Sequence, residues 1–201
     1  MNPSHHPECA TIDISDQDVM AAMKAMQGYI DITPADFREV YRAAYALAKE
    51  RMMNALKAAD IMSAPVYTIA ADADLISAAT LLAEKGISGA PVIDRHGRVI
   101  GVLSEKDFLR KMSAGPSGSF MQVIALCLKN KGCLATPMIN RTTADIMSAP
   151  PITASSGMAM GAISSLLMEK NINRLPIVDG AGKPIGIVTR SDLVNSFCLL
   201  G

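Results

Sequence analysis

Apolar residues in this chain fall into short runs bounded by polar turns, interleaved with stretches where they recur every three or four positions. Val66 to Ile69, Ala90 to Ile93 and Val99 to Leu103 have the length of strands. Asp94 to Arg98, between the last two, carries the Asp and Gly of a tight hairpin. Between the first two runs, Ile76, Ala79, Leu82 and Ala83 share one helical face, with Asp72 placed to cap that helix and Gly86 to stop it after Lys85. A helix from Glu105 to about Met112 completes a β-α-β-β-α unit. The order then recurs. Ile152 to Ala154 is a strand, Ser156 caps a helix through Lys170, Leu175 to Val178 and Ile185 to Val188 are hairpin strands, and Arg190 to about Phe197 is the last helix. Near-continuous apolar strands belong to a sheet covered by helices, so the fold class is α/β (α+β), and two units this small are expected to share buried surface.

Upstream, SDQD from Ser15 has the hydroxyl-then-carboxylate spacing of a capping box, followed by Val19, Met20, Met23 and Met26 at helical spacing and a stop at Gly28. A longer helix is expected from Thr33, with Pro34 at its first position, to about Ala58. Its stripe of Phe37, Val40, Tyr41, Ala44, Ala48 and Met52 requires cover, from the repeats or from another subunit. Between the units, Ser113 to Thr143 is too long for an idle loop. It opens on the hinge-like AGPSGS and continues into a helical stretch from Phe120 to Lys131 that stops at Gly132. Four segments result: an N-terminal helical segment (1–58), a first repeat (59–112), a linker with an inserted helix (113–143) and a second repeat (144–201).

The two units are copies. A shift of 85 residues sets ADIMSAP at Ala59 to Pro65 on ADIMSAP at Ala144 to Pro150, and GVLSEKD at Gly101 to Asp107 on GIVTRSD at Gly186 to Asp192, with no gap. A long period present only twice points to a pseudo-twofold pair rather than a solenoid. The combination of DIM before the first strand, a Pro-bearing second strand, a short turn and G-h-h-[ST]-x-x-D resembles the CBS domains (cystathionine β-synthase domains), which occur in tandem as a Bateman module. The resemblance runs from about Asp60 to Phe197 apart from the insert, which departs from the plain pattern.

Ser104 with Asp107, and Thr189 with Asp192, admit two readings. Each pair has the spacing of a capping box, in which hydroxyl and carboxylate satisfy the amides of a helix's first turn. The same geometry can accept two hydrogen bonds from a cis-diol, while the helix end favours an anion nearby. The family resemblance implies the second: the Asp holds the ribose of an adenine nucleotide and the Ser or Thr supports it. It also implies two clefts, each joining the ribose motif of one repeat to the adenine wall of the other. One would unite Thr189, Arg190 and Asp192 with Tyr67, Thr68, Ile87, Ser88, Gly89 and Pro91, small Gly89 letting the ring approach. The other would unite Ser104 and Asp107 with Ile152, Thr153, Ile172, Asn173, Arg174 and Pro176. Arg174, in NINRLPIVD, resembles the HRLPV strand of the γ subunit of AMP-activated protein kinase, with Asn173 where that subunit has His. Glu105 stands where the second motif has Arg190, so the first cleft is expected to hold phosphate more weakly.

Composition narrows the function. Lys plus Arg and Asp plus Glu are both 19, so no global field draws in nucleic acid or an anionic membrane. The most apolar run outside the repeats, Phe120 to Leu128, is far short of the ~18–20 residues a membrane span needs, and the N-terminus has no signal-peptide pattern. The irregular spacing of the four cysteines is no disulfide framework, which favours the cytoplasm. His5, His6 and Cys9 read as a polar terminus rather than a metal site. No catalytic constellation emerges. The chain is therefore expected to be a non-catalytic regulatory module for AMP or ATP, with no cofactor and with Mg2+ entering only alongside ATP. The resemblance adds a homodimer and an unidentified protein target on another chain. A ligand-free interaction scaffold, or a module for S-adenosylmethionine or a dinucleotide, are the alternatives.

Overall fold

The computed structural model describes residues 33–113, 120–129 and 135–198, with Gln17, Met20 and Lys24, which are helical. The remainder of the expected Ser15–Gly28 helix, the His5, His6 and Cys9 cluster and the AGPSGS hinge lie outside the described residues.

Helix α1 spans Pro34–Ala55. Thr33 N and Oγ1 donate to Asp36 Oδ2 at 3.0 and 2.6 Å, and Asp36 N donates to Thr33 Oγ1 at 3.2 Å, which closes a capping box ahead of the first turn. The helix stops three residues before the expected Ala58 because Asp60 caps a new turn: Lys57 is extended and its N–H donates to Asp60 Oδ2 at 2.8 Å, opening α2 (Ala58–Ile61). Within the expected stripe of α1, Phe37 is half-buried while Val40 is 65% and Tyr41 40% exposed, and the Tyr41 ring stacks on Tyr45 at 6.1 Å. The helix's C-terminal end docks on the second repeat through Met53.

The first repeat comprises β1 (Ile69–Ala70), α3 (Leu75–Lys85), β2 (Gly89–Ile93), β3 (Val99–Ser104) and α4 (Glu105–Met112). After α5 (Phe120–Lys129), the second comprises β4 (Ala154–Ser155), α6 (Met160–Glu169), β5 (Arg174–Val178), β6 (Pro184–Thr189) and α7 (Arg190–Cys198). Each repeat builds a three-stranded sheet whose first strand runs parallel to the second and whose second and third form an antiparallel hairpin. The opening strands are shorter than expected. Asp74, not Asp72, caps α3: its side chain accepts from Ser77 N at 2.8 Å while Asp72 lies in the preceding turn. Ser156 likewise caps nothing; α6 starts after Ala159, and the Met160 amide donates instead to Leu56 O at 2.8 Å. Gly86 ends α3 in the left-handed conformation, and Asn171 takes that conformation at the matching place after α6.

The repeats exchange their opening segments. Ala58 is fully buried among Ala154, Met160, Ile163, Leu167, Leu175 and Val188 of the second repeat. Met138 and Ile146 are buried among Ile69, Leu82, Val92 and Leu103 of the first. Backbone bonds stitch each exchange: Ser63 pairs with Ile187 and Ser148 with Val102, through bonds of 2.9–3.1 Å. The motif glycines make room for it. Gly186 lies under Met62 and Gly101 under Met147, so a side chain at either position would overlap a methionine of the exchanged heptad. The hairpin tips also meet, Val99 N donating to Gly182 O at 3.0 Å.

Candidate ligand-binding cleft

The exchange determines what surrounds each motif. At the first, Ser104 N and Oγ donate to Asp107 Oδ2 at 2.8 and 2.6 Å. Arg110 Nη2 and Ser148 Oγ donate to Asp107 Oδ1 at 2.6 and 2.8 Å. Asp107 is only 2% exposed, a depth at which a carboxylate needs such partners. At the second, Thr189 N and Oγ1 donate to Asp192 Oδ2 at 2.7 and 2.6 Å, and Ser63 Oγ to Oδ1 at 3.2 Å. Ser63 and Ser148 hold the same place in the two ADIMSAP heptads, so each exchanged segment delivers a hydroxyl to the other repeat's carboxylate.

A cleft of about 420 Å3 opens beside Asp107. Of the residues expected around Ser104 and Asp107, it gathers Ile152, Ile172, Asn173 and Arg174; Thr153 does not line it, and Pro176 is buried within β5 against Ile187 of β6. Pro150, Pro151 and Ile172 supply an apolar wall, and Lys106, Arg110 and Arg174 line the cleft together with Glu105 and Asp107. The Glu105 carboxylate is therefore offset by more cations than the motif alone displayed.

The wall expected for Thr189, Arg190 and Asp192 is arranged differently. Ser88 lines the cleft of its own repeat, and its hydroxyl accepts from Arg174 Nη2 at 2.7 Å. The space over Gly89, expected to admit an adenine ring, is filled by the Arg174 guanidinium, which crosses from the matching position of the other repeat. Pro91 is buried in β2, Ile87 packs against the first core, Thr68 is half-buried, and Tyr67 is exposed with Lys85 Nζ 5.1 Å from its ring centre. Arg190 is exposed at the start of α7, its N–H donating to Asn173 O at 3.3 Å.

Arg174 is the electrostatic centre of the cleft. Burial pushes its guanidinium below the usual arginine range, and the carboxylates of Glu105 and Asp107 pull it partly back. Its Nη1 is buried without a hydrogen-bond partner, a costly state for a cation's donor. Ser63, Lys106, Arg110, Ser148 and Asn171 escaped sequence reasoning. For the two serines the available signal was the identity of the heptads; for Arg110 it was a position one turn beyond Asp107. Among the described residues no group of His, Cys, Asp and Glu could hold a metal, and no helix is long and apolar enough to cross a membrane.

A duplicated β-α-β-β-α unit, with exchanged opening segments and a cleft lined by both copies, defines a paired-repeat module. The CBS domain family is matched over residues 58–114 and 144–198, and this chain belongs to it. An uncharacterized protein of Methanocaldococcus jannaschii is 33% identical over 149 residues, 68% of this chain and 88% of that protein. The chain spans only 33% and 52% of two other curated relatives. Among solved structures, the CBS domain of a CBS domain-containing membrane protein from Sphaerobacter thermophilus superimposes with a TM-score of 0.61 at 30% identity, covering 78% of this chain and 96% of that one. CBSX2 of Arabidopsis thaliana in complex with AMP does so with a TM-score of 0.55 at 28% identity, covering 70% and 94%.

Proposed function

We propose that this chain is a non-catalytic regulatory module that binds an adenine nucleotide, AMP or ATP, in the cleft beside Asp107 and signals by changing the packing of its two repeats. One observation carries the reading: a buried carboxylate at a helix N-terminus and a guanidinium from the other repeat meet in a single cavity of about 420 Å3, within the ~300–1,000 Å3 typical of small-molecule sites. Asp107 would accept the ribose diol, the Pro150, Pro151 and Ile172 wall would cover adenine, and Arg174 would exchange its contact with Ser88 for a phosphate. AMP in the CBSX2 relative supports this choice of ligand. Because the lining comes from both repeats, a bound nucleotide favours whichever inter-repeat packing it fits better, and signalling requires that difference in affinity. We further propose a cytoplasmic homodimer acting on a target protein, with Mg2+ entering only with ATP.

A second reading, a ligand-free interaction scaffold, is favoured by one feature: Asp107 and Asp192 both commit Oδ2 to capping the first turn of their own helices. Calorimetric titration of nucleotide-free protein with AMP, ADP, ATP, NAD and S-adenosylmethionine separates the two, run with Asp107→Ala and Asp192→Ala in parallel. Saturable binding of AMP or ATP that Asp107→Ala loses while keeping its fold is the expected result. Loss only in Asp192→Ala would move the site to the second motif, binding of S-adenosylmethionine alone would change the ligand, and no heat from any of the five would leave the scaffold.

A further inference from the structure

The two motifs differ in what their carboxylates already hold. Asp107 accepts four hydrogen bonds, two on each oxygen. A carboxylate offers about four acceptor sites, so it has no vacancy for a diol. Asp192 accepts three, and the bond on its Oδ1 is the long one from Ser63 at 3.2 Å. The difference traces to one residue. Arg110 sits one turn after Asp107 and holds it at 2.6 Å, whereas the matching position after Asp192 is exposed Asn195. Arg110 is 44% exposed in its side chain, lines the cleft and also reaches Ile146 O at 3.5 Å, so its guanidinium lies at the cavity surface with room to turn.

We propose that Arg110 is a specificity-determining gate: it occupies one acceptor site on Asp107 Oδ1 until a ligand brings both a ribose hydroxyl to take that site and a phosphate to receive the guanidinium. This rests on the nucleotide reading above and deepens it by naming the ligand class. A ribose without phosphate must break a close Arg110–Asp107 ion pair and leave the guanidinium without an anion. A phosphorylated ribose breaks the same pair and supplies a replacement. The cleft therefore selects ribosides that carry an anion over neutral ones such as adenosine, although both carry the diol.

The test compares AMP with adenosine by calorimetry on the wild-type chain, on Arg110→Met and, as a second variant that retains polarity, on Arg110→Gln. Removing the competitor should tighten adenosine by about tenfold or more, the scale of one charge-assisted hydrogen bond, while AMP weakens, so the preference for AMP collapses. A purely structural role for Arg110, holding the Ile146 segment to α4, would weaken both ligands by the same factor, and that result overturns the gate. Unchanged affinities for both also overturn it while leaving nucleotide binding in place. Absence of binding of either ligand to the wild type and to both variants removes the nucleotide reading itself, and the gate with it.

Discussion

Replacing Gly101 with alanine tests the segment exchange directly. A Cβ there would stand 2.5 Å from Met147 Sδ, 3.0 Å from Met147 Cγ and 3.0 Å from the Ser148 carbonyl oxygen. The methionine end can rotate away, but the carbonyl is backbone, held by Val102 N at 3.0 Å. Overpacking of this kind costs ~1–3 kcal/mol. Losing a glycine's freedom in the unfolded chain returns ~0.4–1 kcal/mol. The net expectation is a loss of about 1–2 kcal/mol, or a urea midpoint lower by about 0.5–1 M at an unchanged slope. Gly186→Ala is the internal control: its three nearest contacts are all on the Met62 side chain, at Cγ 2.8 Å and Cβ 3.2 Å beyond the sulfur, so a flexible side chain can yield and the loss should be smaller. Urea denaturation followed by circular dichroism reads both. Gly101→Ala as stable as the parent, or Gly186→Ala the worse of the two, would refute the packing of Met147 and Ser148 on β3.

Because Ala58 lies in the core of the second repeat and Ile146 in that of the first, the repeats are expected to melt in one calorimetric transition; two resolved peaks would contradict the exchange. Leu103→Ala and Leu167→Ala, both at 1% exposure or less, should each cost ~2–5 kcal/mol in the same denaturation assay, and a loss under about 1 kcal/mol would place them outside the core. Asp74, Asp94 and Asp145 are held below the ordinary carboxylate value of 3.8, chiefly by the backbone amides of Ser77, Arg98 and Thr142 respectively. A folded pKa below the unfolded one contributes stability that is complete above the unfolded value and lost as pH falls through the folded value. Stability should therefore be flat above about pH 5 and decline below about pH 4, with a shallower acid limb in Asp74→Asn; an unchanged limb would show that the cap does not titrate with folding.

Most elements were legible because their signals are local. Gly86 stops α3, the Asp94 to Arg98 turn joins β2 to β3 and Gly101 marks β3, each from chemistry within a few residues. The cap of α3 was misplaced by two positions because Asp72 and Asp74 are chemically alike, and only the extended backbone at Asp74 with its bond to Ser77 separates them. The α1 stripe displayed its periodicity plainly, but periodicity does not say what covers a face, and Val40 and Tyr41 remain exposed.

The site was legible by composition and not by grouping, and the duplication itself is the reason. Two identical heptads carry no mark of which glycine each packs on; in the structure Met62 lies on Gly186 and Met147 on Gly101. That crossing places Ser148 on Asp107 and Ser63 on Asp192, and neither contact has any local signal. What distinguishes the two clefts is therefore found where the copies disagree at matching positions. Arg174 stands opposite Gly89 and fills the space the glycine leaves, while Arg110 stands opposite Asn195 and saturates one carboxylate of the two. Both differences put cations beside Asp107, so the Glu105-for-Arg190 difference at the first motif stands in a cleft that also holds two arginines the motif does not contain.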